Sequence, residues 1–413
     1  MTTLPISAEG QAVALAASSL ALGGPRSSVK PLSATEWHAL SRQIHHADLR
    51  PRNLLHMGPE EMRERIDIGP DLADRLSMLL SRGGQLAVEV ERLSSVGIWV
   101  LTRADDSYPA ALRRRLGAQA PPVLFGAGRT DALSAPGLAV VGSRNVDDAG
   151  LEYAGALGRL CAEQSLSIVS GGARGVDSAA MGGALERGGV AVGVTVDSLE
   201  KLVRKRDYRM SIAEEQLTLV TPFDPATRWY AGNAMRRNRL IYALAQAAVV
   251  VASSIERSGT RAGAIEDLES GWVPLHVRDD GTPGNLDLIR SGASPLPPLV
   301  SEVEIGELLA ARPSVKVEIR PAPPELKAAP EVPEILAAPD SEEIFHLVWP
   351  IIARHLDEPR TERDIARHLG LEPTQARAWL HRAVEEGQAE VSDRPKRYVC
   401  RPVDAGQLRL IES

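Results

Sequence analysis

The sequence predicts an α/β protein centred on a doubly wound, mostly parallel sheet, with a small helical domain before it and a winged helix after it. Three observations carry this. Six short apolar runs recur between helical stretches over residues 116–310. The first two of these runs lead straight into glycine-rich loops. A Pro-, Ala- and Glu-rich stretch then separates this region from a compact tail.

The runs are Leu138–Gly142, Ser167–Ser170, Ala191–Val196, Leu217–Thr221, Ala248–Ala252 and Val273–Val277. Near-continuous apolar strands alternating with helices indicate parallel strands covered on both faces. Strands in this pattern make a Rossmann-like sheet the natural architecture. Upstream, residues 33–115 read as short helices in a helix-hairpin-helix or SAM-like domain. Ser33 and Glu36 form a capping-box pattern, each satisfying a backbone donor of the other. Ile66-Asp-Ile-Gly-Pro70 breaks the helical pattern, and Asp71–Leu80 resumes it. Residues 1–32 read as a weakly structured segment. Within it Gln11–Leu22 suggests a short amphipathic helix, since Glu9 precedes it where a signal peptide would carry basic residues. Residues 311–340 read as a semi-extended linker. Over 341–402, Thr361–Leu369 and Thr374–Glu386 read as helices around a turn at Gly370–Pro373. Ala389–Val391 and Arg397–Cys400 then read as a wing, and 403–413 as a tail.

A chain of 413 residues suggests two or three domains. Its composition, 44% hydrophobic and 24% charged, is that of a soluble protein able to build a core. A net charge of -7 argues against a duplex-coating protein, so any nucleic-acid site is a local patch. Cys161 and Cys400 lie far apart, and no Cys or His group has metal-ligand spacing. No metal and no cofactor are expected. No segment is long and apolar enough to span a membrane, which points to the cytoplasm.

In such a sheet, ligands sit beyond the carboxyl ends of the strands. Gly142-Ser143-Arg144 and Ser170–Asp177, with Gly171, Gly172, Arg174 and Gly175, both fall there. Glycine lets the backbone approach a ligand, and helix N-termini favour anions. Arg144 and Arg174 add guanidinium forks that match phosphate oxygens. The basic element Arg236-Arg237-Asn238-Arg239 is expected at the start of a helix over Leu240–Gln246, where cations oppose the helix dipole unless an anion binds. Lys205 and Arg206 belong to a weaker basic run. Trp229 and Tyr230 offer rings on which bases can stack.

At this point the residues resemble a known family. Val140-Val-Gly-Ser-Arg144, Ser170-Gly-Gly-Ala-Arg-Gly-Val-Asp177, Gly183-Ala-Leu185, Arg237-Asn-Arg-Leu-Ile241 and Ser258-Gly-Thr260 occur in the order seen in the DprA/Smf family of DNA-processing proteins. Tyr108-Pro109, Leu112 and Pro121-Pro-Val-Leu-Phe-Gly126 also resemble that family's lead-in to its first strand. The resemblance runs from about residue 33 to 300. It implies a domain that binds single-stranded DNA, homodimerises, protects incoming strands in transformation and helps load RecA. It implies Arg144, Arg174, Arg237 and Arg239 as phosphate ligands, with Lys205 or Arg206 as a further contact. The chain departs from the family pattern at Met181, at Ala234-Met235 and over Leu199–Arg209. It therefore resembles a divergent branch, for which a role in genome defence is an alternative to transformation.

Two other readings compete. The fold is similar to that of nucleotide phosphoribohydrolases, whose signature places a catalytic Glu where this chain has Gly263. Glu266 lies about one helical turn further on. The second is a nucleotide sensor with a regulatory tail. Between Ser341 and Pro402 the tail has 10 Lys/Arg and 11 Asp/Glu, so it is no basic duplex binder. Arg377, His381 and Arg382 on its second helix are candidates to touch DNA, but Glu385 and Glu386 share that helix, and protein docking suits this tail better.

Overall fold

The computed structural model describes residues 6–20, 22, 29–227, 231–255, 258–313, 349, 352–369, 373–393 and 396–400. Trp229 and Tyr230 lie outside the described residues. Two compact units divide the chain, Met1–Glu318 and Ile319–Ser413.

In the first unit the six expected strands form, numbered here among nine. They are β1 (Trp99–Thr102), β2 (Val123–Ala127), β3 (Gly137–Gly142), β4 (Ser167–Ser170), β5 (Ala191–Val194), β6 (Leu217–Thr221), β7 (Ala247–Ala252), β8 (Leu275–Arg278) and β9 (Ser294–Leu296). They make one sheet in the order β1-β2-β6-β5-β4-β3-β7-β8-β9. β1 and β2 enter antiparallel at one edge, and the remaining pairs are parallel. The alternation along β3 shows why both faces are covered. Leu138 and Val140 pack with Leu157 and Ala180 on one face. Ala139 and Val141 pack with Leu240 and Ala264 on the other. A period of two therefore sends equal apolar sets into two helical layers.

The N-terminal helices are α1 (Ala8–Ala17), α2 (Ala34–His46), α3 (Pro59–Ile66), α4 (Pro70–Leu80) and α5 (Gly83–Ser95). The described part of the N-terminal segment differs from expectation. Ala12–Ala16 are fully buried, so α1 is a core helix rather than an amphipathic one. Ser7 caps it by accepting from the Gly10 amide, and Arg82 donates to the carbonyl of Leu15. The capping box at Ser33 forms as expected, with Glu36 also paired to Arg75 at 2.7 Å. Residues 33–115 are not helical throughout, because β1 lies within them and belongs to the large sheet.

Between strands run α6 (Ala110–Leu116), α7 (Asp148–Glu163), α8 (Val176–Glu186), α9 (Leu199–Leu202), α10 (Arg206–Ala213), α11 (Ala231–Leu244), α12 (Gly259–Ser270), α13 (Pro283–Arg290) and α14 (Ile305–Ala310). After β3 the chain steps outward to β4, β5 and β6, then returns to place β7 on the other side of β3. That reversal opens a crevice at the carboxyl ends of β3 and β7.

The second unit holds α15 (Glu362–Leu369), α16 (Pro373–Glu385) and an antiparallel pair, β10 (Ala389–Asp393) with β11 (Lys396–Cys400). Its core is formed by Ile352, Leu356, Ile365, Leu380 and Tyr398 among others. No helix among the described residues is long and apolar enough to cross a membrane.

Candidate nucleic-acid interface

Two adjoining clefts open at the carboxyl edge of the sheet. The first, of ≈ 270 Å³, is lined by Arg144, Gly171–Arg174, Thr195, Asp197, Lys205, Tyr208 and Arg237 among others. The second, of ≈ 420 Å³, follows the β3–β7 crevice and includes Gly142, Ser143, Arg144, Asp177, Arg237, Asn238 and Ser258–Thr260. Arg144, Ala173 and Arg237 line both.

The loop after β4 is shaped by its glycines. Gly175 has φ +88°, and a Cβ there would lie 2.5 Å from the carbonyl oxygen of Ser143 and 2.8 Å from that of Arg144. Only glycine lets this loop lie against the loop after β3. At Gly171 a Cβ would overlap Arg237 Nη1 and come within 2.6 Å of Asp177 Oδ2. Arg237 and Asp177 thus converge on the bare face of Gly171.

Arg237 is the distinctive group. It is 5% exposed and its Nε has no hydrogen-bond partner. Burial pulls the Arg237 guanidinium below its ordinary range, opposed by the Asp177 carboxylate. Asp177 is 7% exposed, and burial pushes its carboxyl up to about 6 against the pull of Arg237. Its Oδ2 accepts from the Ala173 amide at 3.4 Å. A buried guanidinium with an unbonded Nε is a costly arrangement, and an anion beside it offsets part of that cost.

The basic element does not start a helix. It lies inside α11, so its four residues fan out around the helix at about 100° per residue. Arg236 stacks over the Phe223 ring, 5.7 Å from its centroid. Arg237 enters the clefts. Asn238 donates to the carbonyl of Gly259 at 3.2 Å and lines the second cleft. Arg239 turns away, pairs with Glu266 at 2.7 Å and donates to Gln119. The dipole argument for an anion at this point therefore falls, and burial of Arg237 replaces it.

The other expected residues separate in the same way. Arg144 and Arg174 are exposed at the rim, with Arg174 donating to Asn145 Oδ1 at 3.1 Å. Ser143 is turned into its own loop, its hydroxyl donating to the carbonyl of Asn145. Ser170 is fully buried and its hydroxyl donates to the carbonyl of Val140 at 2.6 Å, which gives it a structural part. Lys205 lines the first cleft, whereas Arg206 is exposed on α10 outside both. Sequence reasoning missed Tyr208, which lines the first cleft with the Lys205 ammonium 5.8 Å from its ring centroid. Its place two residues beyond the basic run was the available signal. Glu266, the carboxylate an enzyme would need, pairs with Arg239 and lines neither cleft.

The state of Asp177 gives an expected pH response. Above about pH 6 its carboxylate is charged beside Arg237 and repels a phosphate; below, it is neutral. Anion affinity should therefore rise on the order of tenfold from pH 8 to pH 5.5. Asp177→Asn should bind at pH 8 as the parent does at pH 5.5. Fluorescence anisotropy at constant ionic strength reads this directly, and an unchanged pH slope in the variant would refute the coupling.

The fold and this edge define a doubly wound α/β protein whose glycine-lined rim carries Arg144, Arg174, Lys205 and Arg237. The chain belongs to the DprA/Smf family of DNA-processing recombination mediators. The family model described as DNA recombination-mediator protein A matches residues 99–304. The DNA processing protein DprA of Streptococcus pneumoniae is 32% identical over 195 residues, covering 46% of this chain and 67% of that protein. A putative DNA processing protein DprA of Mycobacterium tuberculosis is 29% identical over 299 residues, 62% of this chain and 72% of that one. The X-ray structure of the Streptococcus pneumoniae protein aligns with a TM-score of 0.47 and 25% identity, covering 66% of this chain and 99% of that chain.

Proposed function

We propose that this chain binds single-stranded DNA along the carboxyl edge of its sheet and performs no catalysis on it. The observation that carries this is the buried Arg237, opening onto both clefts beside the exposed Arg144. With Arg174 and Lys205 in the first cleft, they concentrate positive charge in a chain whose net charge is -7. The first cleft, of ≈ 270 Å³, has the dimensions of a nucleotide rather than a duplex. Tyr208, which lines it, offers a ring on which an unpaired base can stack. Arg144, Arg174, Lys205 and Arg237 are the phosphate contacts in this reading, with the Gly142–Ser143 and Gly171–Gly172 backbone beside them. Arg239, Arg206 and Ser170 are not. The absence of a cleft carboxylate at Gly263 and the pairing of Glu266 favour binding over nucleotide hydrolysis.

The second unit reads as a winged helix that docks protein. On α16, Arg377 pairs with Glu362 at 2.8 Å and Arg382 with Glu386 at 2.6 Å, so these cations are engaged by carboxylates. In the same reading the protein works in the cytoplasm as a homodimer, and protection of strands and delivery to RecA follow the family resemblance. The test is direct: an oligonucleotide such as dT20 should bind at least tenfold more tightly than a duplex of equal length. Equal affinities would overturn the proposal.

A further inference from the structure

We propose that the second cleft is a phosphomonoester site, taking the phosphate of a nucleotide at the N-terminus of α12. This rests in part on the reading of the edge as phosphate-binding; the site shares Arg144 and Arg237 with the first cleft and adds Ser253 and the start of α12, which lie outside it. Ser258 caps the helix by accepting from the Arg261 amide at 3.2 Å. Gly259 and Thr260, the first two helical residues, line the second cleft, and as first-turn residues their amides have no acceptor within the helix. A Cβ at Gly259 would meet only Asn238 Nδ2, at 3.9 Å, so a ligand can approach the backbone closely.

Two further residues in the lining of the same cleft carry buried polar atoms without partners. Arg237, 5% exposed, has an unbonded Nε. The buried Ser253 hydroxyl oxygen is also unbonded. Ser253 is held there because its amide donates to Asn285 Oδ1 at 2.9 Å, and Asn285 in turn donates to the carbonyls of Val251 and Arg278. A fully buried asparagine thus fixes the loop after β7 against β8. Helix amides, a hydroxyl and a buried guanidinium form the donor set of a phosphate site.

The cleft exceeds a bare phosphate. Its ≈ 420 Å³ includes apolar wall from Val141, Met235, Ile241 and Tyr242, which suits an attached nucleoside. Arg144 and Arg237 outnumber Asp177, the acidic side chain in its lining, and the helix dipole adds further positive potential. A dianionic monoester gains more from this field than the monoanionic diester of a strand interior. The ligand is therefore a free nucleoside monophosphate or the phosphorylated end of a strand.

The experiment compares the full chain with Gly259→Pro and Ser253→Ala by calorimetry. Proline fits the first helical position, and Ser258 already has φ -112° and ψ 151°, as a residue before proline requires. It removes one amide donor, while Ser253→Ala leaves the backbone untouched. The probes are adenosine 5′-monophosphate and dT12 with either a 5′-phosphate or a 5′-hydroxyl. The expected result is at least tenfold weaker monophosphate binding in either variant, with 5′-hydroxyl dT12 unaffected. If instead only the preference for 5′-phosphorylated dT12 is lost, the site stands and its source is a strand end. Binding of 5′-hydroxyl dT12 with no variant-sensitive binding of either phosphorylated probe overturns this site and leaves the strand reading intact. Variant-sensitive monophosphate binding without strand binding sustains the site and overturns the strand reading.

Discussion

Replacing Arg237 by leucine is expected to reduce single-strand affinity on the order of 100-fold, about 2.7 kcal/mol, while the protein stays folded. The two halves of this expectation have separate causes. Affinity falls because Arg237 opens onto both clefts, where its desolvated charge is worth more than a rim cation. Stability survives because the native protein spends nothing on a hydrogen bond from its Nε, which has no partner. Leucine restores much of the buried volume without a charge to desolvate. Asp177 is then left without its cation, and its carboxyl, already pushed up to about 6, shifts further toward the neutral form. Gel shift and thermal unfolding of the same preparation check both halves. Normal binding would refute the role of Arg237, and an unfolded variant would show that the cation holds the core.

Gly175→Ala should act on the fold and the site together. The conformation at 175, φ 88° and ψ -134°, is one that side-chain-bearing residues scarcely populate. The added Cβ would also meet two backbone carbonyls, of Ser143 and Arg144, which cannot swing aside as a side chain can. The loops after β3 and β4 must therefore separate. A loss of about 3 kcal/mol in stability is expected from strain and steric overlap together. Urea unfolding should show a lowered midpoint. Because Arg144 moves with its loop, single-strand affinity should fall as well. A variant with unchanged midpoint would mean that the loop pair tolerates a different path.

The sheet was legible because its central strands are buried on both faces, which writes them as uninterrupted apolar runs. Val140-Val141 and Val249-Val250-Val251 leave little other reading. β1 and β9 were not, being short, only partly buried strands at the two sheet edges, and β2, though fully buried, follows Pro121-Pro122 and pairs antiparallel, outside the alternation of strand and helix. Trp99–Thr102 follows Gly97 and is rich in strand formers, so its signal was present but outweighed by the helices before it. The fully buried Ala12–Ala16 read as part of an amphipathic helix rather than as core, because alanine-rich helices bury little area per residue and give a weak core signal.

At the site, residue types were legible and directions were not. Arg144 and Arg174 follow strands directly, so their place at the rim follows from topology alone. Arg236–Arg239 form a cluster in sequence but not in space, since one helical turn sends them toward Phe223, the clefts, Gly259 and Glu266. Placing the start of α11 nearer Ala231 would have revealed this. The convergence of Asp177 and Arg237 on Gly171 joins segments sixty residues apart and has no local signature.

The most direct test of the central claim is the salt dependence of single-strand binding in Arg144→Ala and Arg239→Ala. Each phosphate contact on a single strand contributes about -0.7 to the slope of log K against log salt. Arg144 lines both clefts, so its removal should make the slope shallower by about 0.7 and weaken binding. Arg239 is paired with Glu266 away from them, so its removal should leave the slope as it is. The opposite pattern, with Arg239 changing the slope and Arg144 leaving it unaltered, would contradict the account and move the strand to the other side of α11.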